Sequence, residues 1–150
     1  MKTLLAALVA VALLPAAAEG HPLGNFTINH LSRVSIGTRQ IDVSYTLDQA
    51  EIPTFQERGL SPAQVLARKL AEVRRALKLT VDGKSTPLAI QPGARISFPP
   101  GQGGLPTTRV EAHLAATAGR DVQLRDATFP GRVGWKAVVV APGAGTDVRS

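Results

Sequence analysis

The sequence predicts a mainly β protein: an antiparallel, immunoglobulin-like β-sandwich with one inserted α-helix near residues 62–77. Three observations lead to this prediction. Apolar and polar residues alternate in several short segments, which is the period of a strand with one buried face. Glycine or proline loops separate these segments. One stretch, residues 61–77, has helical spacing instead, and short strands with regular turns are typical of a β-sandwich.

The first 18 residues have the pattern of a secretory signal peptide. Lys2 provides the positive charge, the apolar run extends from Leu4 to Leu14, and small residues follow Pro15. We expect cleavage after Ala18 or after Gly20, with an uncleaved anchor as the alternative. The run is shorter than the roughly 20 apolar residues that a membrane span needs, and no later run is longer. The sequence therefore predicts an exported protein in the periplasm or on the extracytoplasmic face of a membrane.

About 130 residues remain after such processing, which is enough for one domain and too few for two. We assign residues 19–142 to the β-sandwich domain. The end of the chain, "APGAGTDVRS", contains small residues without periodicity, so residues 143–150 are predicted to be a linker-like tail with few contacts. The chain has no cysteine, so its stability must come from packing without disulfides.

The clearest strand is "RQIDVSYTLD", in which one side chain of each pair is apolar and its neighbour is polar. The preceding segment, from Phe26 to Ile36, is also extended and ends at a turn around Gly37. We expect these two strands to pair in an antiparallel manner. Pro53 and Gly59 are predicted to close this region.

The inserted helix has clear start signals. Ser61 is the predicted N-cap, Pro62 takes the first helical position, and Gln64 completes a capping box. An apolar stripe follows at helical spacing and predicts packing against a sheet. Its members are Leu66, Leu70, Val73 and Leu77. The basic residues of this region are expected to form a solvated face. They are Arg68, Lys69, Arg74, Arg75 and Lys78.

After Leu77 the period changes to two, and Asp82-Gly83 predicts a hairpin turn. Further strand signals follow around Leu88 and Ile90, Ile96 and Phe98, Val110 to Leu114, Val122 and Leu124, and Trp135 to Val139. The segment "PPGQGGLPTTR" is rich in glycine but lacks the Lys-Ser/Thr ending of a phosphate-binding loop. It is therefore predicted to be a plain loop.

The formal net charge is +6, and it is +5 once Lys2 leaves with the signal peptide. A basic surface attracts phosphates, but exported proteins rarely meet nucleic acid, and only 4% of the residues are aromatic and able to stack on bases. We therefore expect no nucleic-acid partner. Anionic lipid headgroups are the favoured electrostatic partner.

The sequence contains three histidines, and none of them belongs to a zinc motif such as HExxH. His113 falls on the outward phase of its strand and is predicted to be solvated. His30 shares a strand phase with Phe26 and Ile28, so it is either a buried histidine with satisfied hydrogen bonds or a metal ligand near the sheet edge. Asp48 and Glu51 flank a strand end, where they either join a site or are simply solvated.

His21 depends on processing. Cleavage after Ala18 gives the amino terminus Glu19-Gly20-His21, whose amine, two deprotonated amides and imidazole form the square-planar set that Cu(II) and Ni(II) prefer. Cleavage after Gly20 instead leaves His21 as the first residue, and its chelate then needs a further ligand such as His30 or His113. The expected metal ligands are therefore Glu19, Gly20, His21 and His30. The alternative is that the terminal histidine is coincidental.

No catalytic pattern is complete. The serines lie outside any G-x-S-x-G elbow, and there is no cysteine nucleophile. Asp42 and Asp48 share the solvent side of one strand, where nothing separates their pKa values. The sequence therefore predicts that the protein is not an enzyme.

Four long segments occur in an order that resembles a known family. They are "HPLGNFTINHLSRVSIG", "YTLDQAEIPTFQE", "PPGQGGLPTTRVEA" and "GWKAVVV". Together they resemble the extracytoplasmic N-terminal region of NicO-type nickel/cobalt transporter-like membrane proteins, over nearly all of the mature chain. In that family the region follows a signal sequence and precedes a bundle of membrane helices that moves the metal. The sequence ends at Ser150 without such a bundle, so we expect no transport by this chain alone.

The resemblance implies a membrane transport protein or membrane domain as partner. It gives no ligand set that can be transferred to this sequence. Three functions follow, in order of preference: a metal-related accessory domain that binds Ni(II) or Cu(II), a metal-free interaction module for a membrane partner, and an exported copper enzyme with an N-terminal histidine. The third is disfavoured because polysaccharide oxidation usually needs an aromatic binding face, and the chain has one Trp and one Tyr.

Overall fold

The computed structural model describes residues 23–147. Their fold is mainly β with an inserted helix, which confirms the predicted class. The chain begins with a 3-10 turn at Leu23–Phe26, and a second such turn lies at Gln102–Gly104. The strands are β1 (Ile28–Ile36), β2 (Gln40–Gln49), β3 (Leu77–Val81), β4 (Lys84–Thr86), β5 (Ala89–Ile90), β6 (Arg95–Ser97), β7 (Thr108–Thr117), β8 (Val122–Asp126) and β9 (Lys136–Pro142). The helices are α1 (Glu51–Gln56) and α2 (Pro62–Ala76).

The strands form two sheets. The larger has the order β5-β7-β2-β1-β9, with β6 also paired to β7, and the smaller has the order β4-β3-β8. The predicted antiparallel pair of β1 and β2 is confirmed, and Ile28 lies opposite Gln49. The pairing of β9 with β1 is parallel, which departs from the otherwise antiparallel arrangement. This pairing places the last described strand beside the first.

The core lies between the larger sheet and a second layer made of α2 and the smaller sheet. Strand β2 contributes its inward row, of which Tyr45 and Leu47 are almost completely buried. Val73 of α2 and Leu79 of β3 belong to the same hydrophobic cluster. Alternation along β2 and β7 thus buries one face and leaves polar side chains on the other.

Between β3 and β4, Asp82 and Gly83 both have positive φ, as the predicted two-residue hairpin requires.

Helix α2 begins with the predicted capping box, in which the Ser61 and Gln64 side chains each bind the other residue's main-chain N–H. It ends at Ala76. One expectation for its basic face is wrong, because Lys69 is only 5% exposed and points into the protein. The other basic residues of that face are exposed.

Helix α1 was not predicted, because Pro53 was interpreted as the end of a structured region. In the structure Pro53 is the third residue of a short helix. A proline is tolerated there because the first N–H groups of a helix have no acceptor within the helix. Within residues 23–147, no helix combines the length and the hydropathy needed to cross a bilayer.

The first part of the predicted linker contacts the domain. The main-chain N–H of Gly143 donates to the carbonyl of Ile36 at 2.8 Å, and Thr38 N–H donates to the carbonyl of Ala144 at 3.1 Å. The Thr146 hydroxyl also donates to the Ile36 carbonyl. These bonds fasten residues 143–146 to the turn between β1 and β2, which is more contact than we expected of a linker.

Truncation after Pro142 should therefore lower the melting temperature, because it removes several hydrogen bonds that each contribute about 1 kcal/mol. Thr146→Val keeps the shape of the side chain and loses only its hydroxyl, so it should produce a smaller decrease. Thermal unfolding followed by circular dichroism measures both. A melting temperature unchanged by the truncation would mean that the contacts add no stability and that the tail behaves as a free linker.

Candidate functional site

A buried polar cluster surrounds His30, which is 1% exposed. Strand β1 points His30 inward, β2 supplies Tyr45, and the end of β8 supplies Asp126, with Thr128 just beyond it. The Nδ1 atom of His30 lies 2.8 Å from the Tyr45 hydroxyl, 2.7 Å from the Thr128 hydroxyl and 3.4 Å from Asp126 Oδ2. We call these four residues the His30 cluster.

The carboxylate of Asp126 organises this cluster. It accepts hydrogen bonds from both the hydroxyl and the main-chain N–H of Thr128, the latter at 2.9 Å. Burial raises the pKa of Asp126, but the hydrogen bonds from His30 and Thr128 outweigh burial and hold that pKa below its usual range. Lys136 donates to the Thr128 carbonyl, and its Nζ lies 3.9 Å from Asp126 Oδ1. Lys136 thus links the cluster to the surface.

The remaining contacts of the cluster enclose His30 and separate it from solvent. Burial raises the pKa of Tyr45 far above its ordinary value, so this residue stays a neutral phenol. The rings of Tyr45 and Phe129 approach His30 edge-on, with centroids 6.1 and 5.3 Å away. The arrangement therefore ties β1, β2 and the segment after β8 together through satisfied hydrogen bonds.

Phe129 also lies near a second buried polar group. Lys69 of α2 donates to Gln49 Oε1 at 2.6 Å and to Glu57 Oε1 at 2.8 Å, while Gln49 donates to Glu57 Oε2 at 2.7 Å. The Lys69 Nζ also lies 5.3 Å from the centre of the Phe129 ring. We call Lys69, Gln49 and Glu57 the Lys69 cluster. It joins α2 to the end of β2 and to the segment that follows α1.

The structure separates the residues that the sequence singled out. His30 is buried with its Nδ1 engaged, which favours the first of its two interpretations, a satisfied interior histidine. His113 lies on the outer face of the larger sheet, as predicted, with its Nδ1 3.2 Å from the Ser44 hydroxyl. Glu19, Gly20 and His21 lie outside the described residues. The described histidines are thus on opposite faces of one sheet.

The two candidate carboxylates also have separate roles. Asp48 pairs with Arg109 on the outer face at 2.7 Å. Glu51 is buried and accepts a hydrogen bond of 2.6 Å from the main-chain N–H of Gln102, so it holds the glycine-rich loop in place. Within residues 23–147, no three His, Asp or Glu side chains come together in a way that could hold a metal ion.

An open cleft of about 270 Å³ lies where the described chain begins. Phe26, Pro53 and Val133 are among its lining residues, and Phe26 and Val133 are both exposed. Arg132 adds a positive charge to its rim. Trp135, three residues further along the chain, is exposed as well. The surface of the domain where the described chain begins is therefore apolar and accessible.

Together these features define a small, mainly β domain in which two buried polar clusters join neighbouring elements and an accessible apolar cleft lies where the described chain begins. Comparison with protein-family models, with curated proteins and with solved structures finds no match.

Proposed function

We propose that this chain is an extracytoplasmic accessory domain of a membrane nickel/cobalt transport system and that it binds Ni(II) or Cu(II) through its mature amino terminus. The observation that carries this proposal is the position of the first turn of the described chain. Leu23–Phe26 is a surface turn next to the open cleft, and it starts two residues after His21. A chelate at the amino terminus would therefore form outside the packed core.

The position of His30 bears on which of the two possible amino termini could complete a metal site. If the chain were cut after Gly20, His21 would need another ligand such as His30 or His113. His30 is buried with its Nδ1 engaged, and His113 lies on the outer face of the larger sheet beside Ser44. If the chain were cut after Ala18, Glu19-Gly20-His21 would supply four nitrogens without help from the fold. We therefore place the proposed site in the Glu19-Gly20-His21 terminus. Because that set is coplanar, Zn(II), which prefers a tetrahedron, should bind more weakly.

The expected result is a visible absorption band on titration of the mature protein with Cu(II) or Ni(II), and its loss in His21→Ala. A variant with one extra residue before Glu19 should also lose the band, because the histidine is then no longer third from the free amine. His113→Ala is the matched control and should bind as the unaltered protein does. Calorimetry measures the affinities, and circular dichroism verifies that each variant is folded.

Mass spectrometry of the exported protein identifies the amino terminus and must precede the titration. Binding that survives both the extra residue and His21→Ala would overturn the terminal chelate. Loss of binding in His113→Ala would instead place the metal on the outer face of the larger sheet.

The second candidate is a metal-free interaction module for a membrane partner. It is supported by the cleft at the amino-terminal end, where exposed Phe26 and Val133 lie beside Arg132. Exposed aromatic side chains next to an arginine are typical of protein contact surfaces. A mature protein that binds neither Cu(II) nor Ni(II) in the titration would favour this function over the first.

A further inference from the structure

Strand β9 is an edge strand without the usual protection. No strand within residues 23–147 pairs with its second side. Natural edge strands usually carry charges, prolines or bulges that prevent further pairing. In β9 such residues occur only at the two ends, as Lys136 and Pro142, and the five residues between them are alanine or valine. Val138, Val139 and Val140 are 45%, 47% and 54% exposed.

Part of this exposed surface belongs to the core side of the sheet. Val138 lies beside Ser32 of β1, and Val140 lies beside Val34. Ser32 and Val34 are buried, so Val138 and Val140 are on the inward phase, yet the second layer leaves them about half exposed. The Ser32 hydroxyl is buried and has no hydrogen-bond partner among the described residues. The core face is thus incompletely covered along β9.

The main chain of β9 is oriented for further pairing. His30 N–H donates to the Trp135 carbonyl, and Gly143 N–H donates to the Ile36 carbonyl. Successive residues of a parallel strand alternate in direction, so the odd-numbered residues of β9 face β1. The N–H and carbonyl groups of Val138 and Val140 therefore point to the free side, and so does the N–H of Lys136.

The sequence of β9 is also self-complementary. Ala-Val-Val-Val-Ala, residues 137–141, has the same order in both directions around Val139. If two copies pair antiparallel about a twofold axis at Val139, this residue lies opposite itself and Val138 lies opposite Val140 of the second copy. Because Val138 and Val140 both face the free side, each such pair can form two main-chain hydrogen bonds. Val139 then takes the position without hydrogen bonds, on the axis.

The charges agree with the same register. Lys136 lies opposite Pro142 of the second copy, and the two lysines are six residues apart along the strand, about 20 Å. Like charges therefore do not face each other, as they would in a register centred on Lys136. A twofold interface requires such a surface, since the same patch must complement itself.

We propose that two copies of this chain associate through antiparallel pairing of β9, which joins their larger sheets into one continuous sheet. The interface places the valines of the two copies side by side, and it satisfies the outward N–H of Lys136 and the outward main-chain groups of Val138 and Val140. One short strand pair is a small interface, so the dimer is weak and depends on concentration.

Sedimentation velocity over a wide range of protein concentration tests for the dimer. Val139→Lys places two ammonium groups opposite each other on the axis and should raise the dissociation constant about tenfold or more. Val138→Pro removes an N–H that faces the free side, so it should prevent pairing without disturbing β1. Ala89→Lys adds the same charge at the other edge of the sheet and should leave the dimer intact. Circular dichroism verifies the fold of each variant.

The chain has no cysteine, so single-cysteine variants can report the register. Opposite residues at a position without hydrogen bonds have Cα atoms about 4.5 Å apart, which is within the range of roughly 4.4–6.8 Å that a disulfide spans. Val139→Cys should therefore cross-link under mild oxidation much faster than Val140→Cys, which faces a different residue. A monomer at all concentrations, or a dimer that persists in both Val139→Lys and Val138→Pro, would overturn the proposal, as would equal cross-linking of the two cysteine variants.

Discussion

Replacing Asp126 with asparagine should lower the free energy of unfolding by about 3 kcal/mol, because one partner of a buried charged network is removed while the others stay buried. The amide cannot carry the charge that His30 and Thr128 now stabilise. Its NH₂ group is itself a donor, and it would lie against side chains that now donate hydrogen bonds to the carboxylate. Chemical denaturation monitored by circular dichroism or Trp135 fluorescence gives the free energy directly.

Asp48→Asn is the matched control for this prediction. Asp48 is also paired with a cation, Arg109, but on the outer face of the sheet, where both side chains are substantially exposed. Exposed pairs contribute about 1 kcal/mol or less. If Asp126→Asn lowered the free energy of unfolding by no more than Asp48→Asn does, the His30 cluster would add little to stability.

We also expect the Asp126 carboxylate to make the stability of the protein depend on pH. The folded-state pKa of Asp126 lies below its ordinary value, so the unfolded chain binds the proton more readily. The stability that this group contributes is present above the ordinary pKa of aspartate, about 4, and is lost as the pH falls through the lower folded-state value. Asp126→Asn should therefore show a flatter loss of stability in acid than the unaltered protein. Parallel acid profiles would exclude this contribution.

The second large effect is expected at Lys69. Lys69→Ala leaves Gln49 Oε1 and Glu57 Oε1 without their donor and removes a buried aliphatic stem, so the free energy of unfolding should fall by about 3 kcal/mol. The neighbouring Arg68 is exposed, and Arg68→Ala should change the same quantity by less than about 0.5 kcal/mol. Urea denaturation of the two variants measures how much each substitution lowers the free energy of unfolding.

Lys69→Met separates the two causes of this loss. Methionine restores most of the stem without the charge, so a stability close to that of Lys69→Ala would assign the effect to the lost hydrogen bonds. A stability close to that of the unaltered protein would assign it to packing. Equal effects of Lys69→Ala and Arg68→Ala would contradict the buried position of Lys69.

The sequence by itself determined the fold class and most of the local elements, with helix α1 as an exception. Alternating polarity fixed which residues of β2 face the core, and the start of α2 followed from Ser61, Pro62 and Gln64. The hairpin at Asp82-Gly83 needed only two residues that accept positive φ. These signals are local, because they depend on period and on main-chain geometry within a few residues. The possible chelate at Glu19-Gly20-His21 is local in the same sense and remains a prediction from the sequence.

Only the tertiary structure decided the roles of Lys69, His30 and β9. Lys69 is four residues from both Val65 and Val73, so the helical period places it on their face. Only the tertiary structure shows that Gln49 and Glu57 enclose its ammonium group. The His30 cluster joins residues up to 98 positions apart, and the exposure of Val139 depends on how far the second layer extends over the sheet. Burial and hydrogen bonding of this kind depend on which elements stack together, and the free-energy cost of desolvating a charge is set by that arrangement and not by the neighbouring sequence.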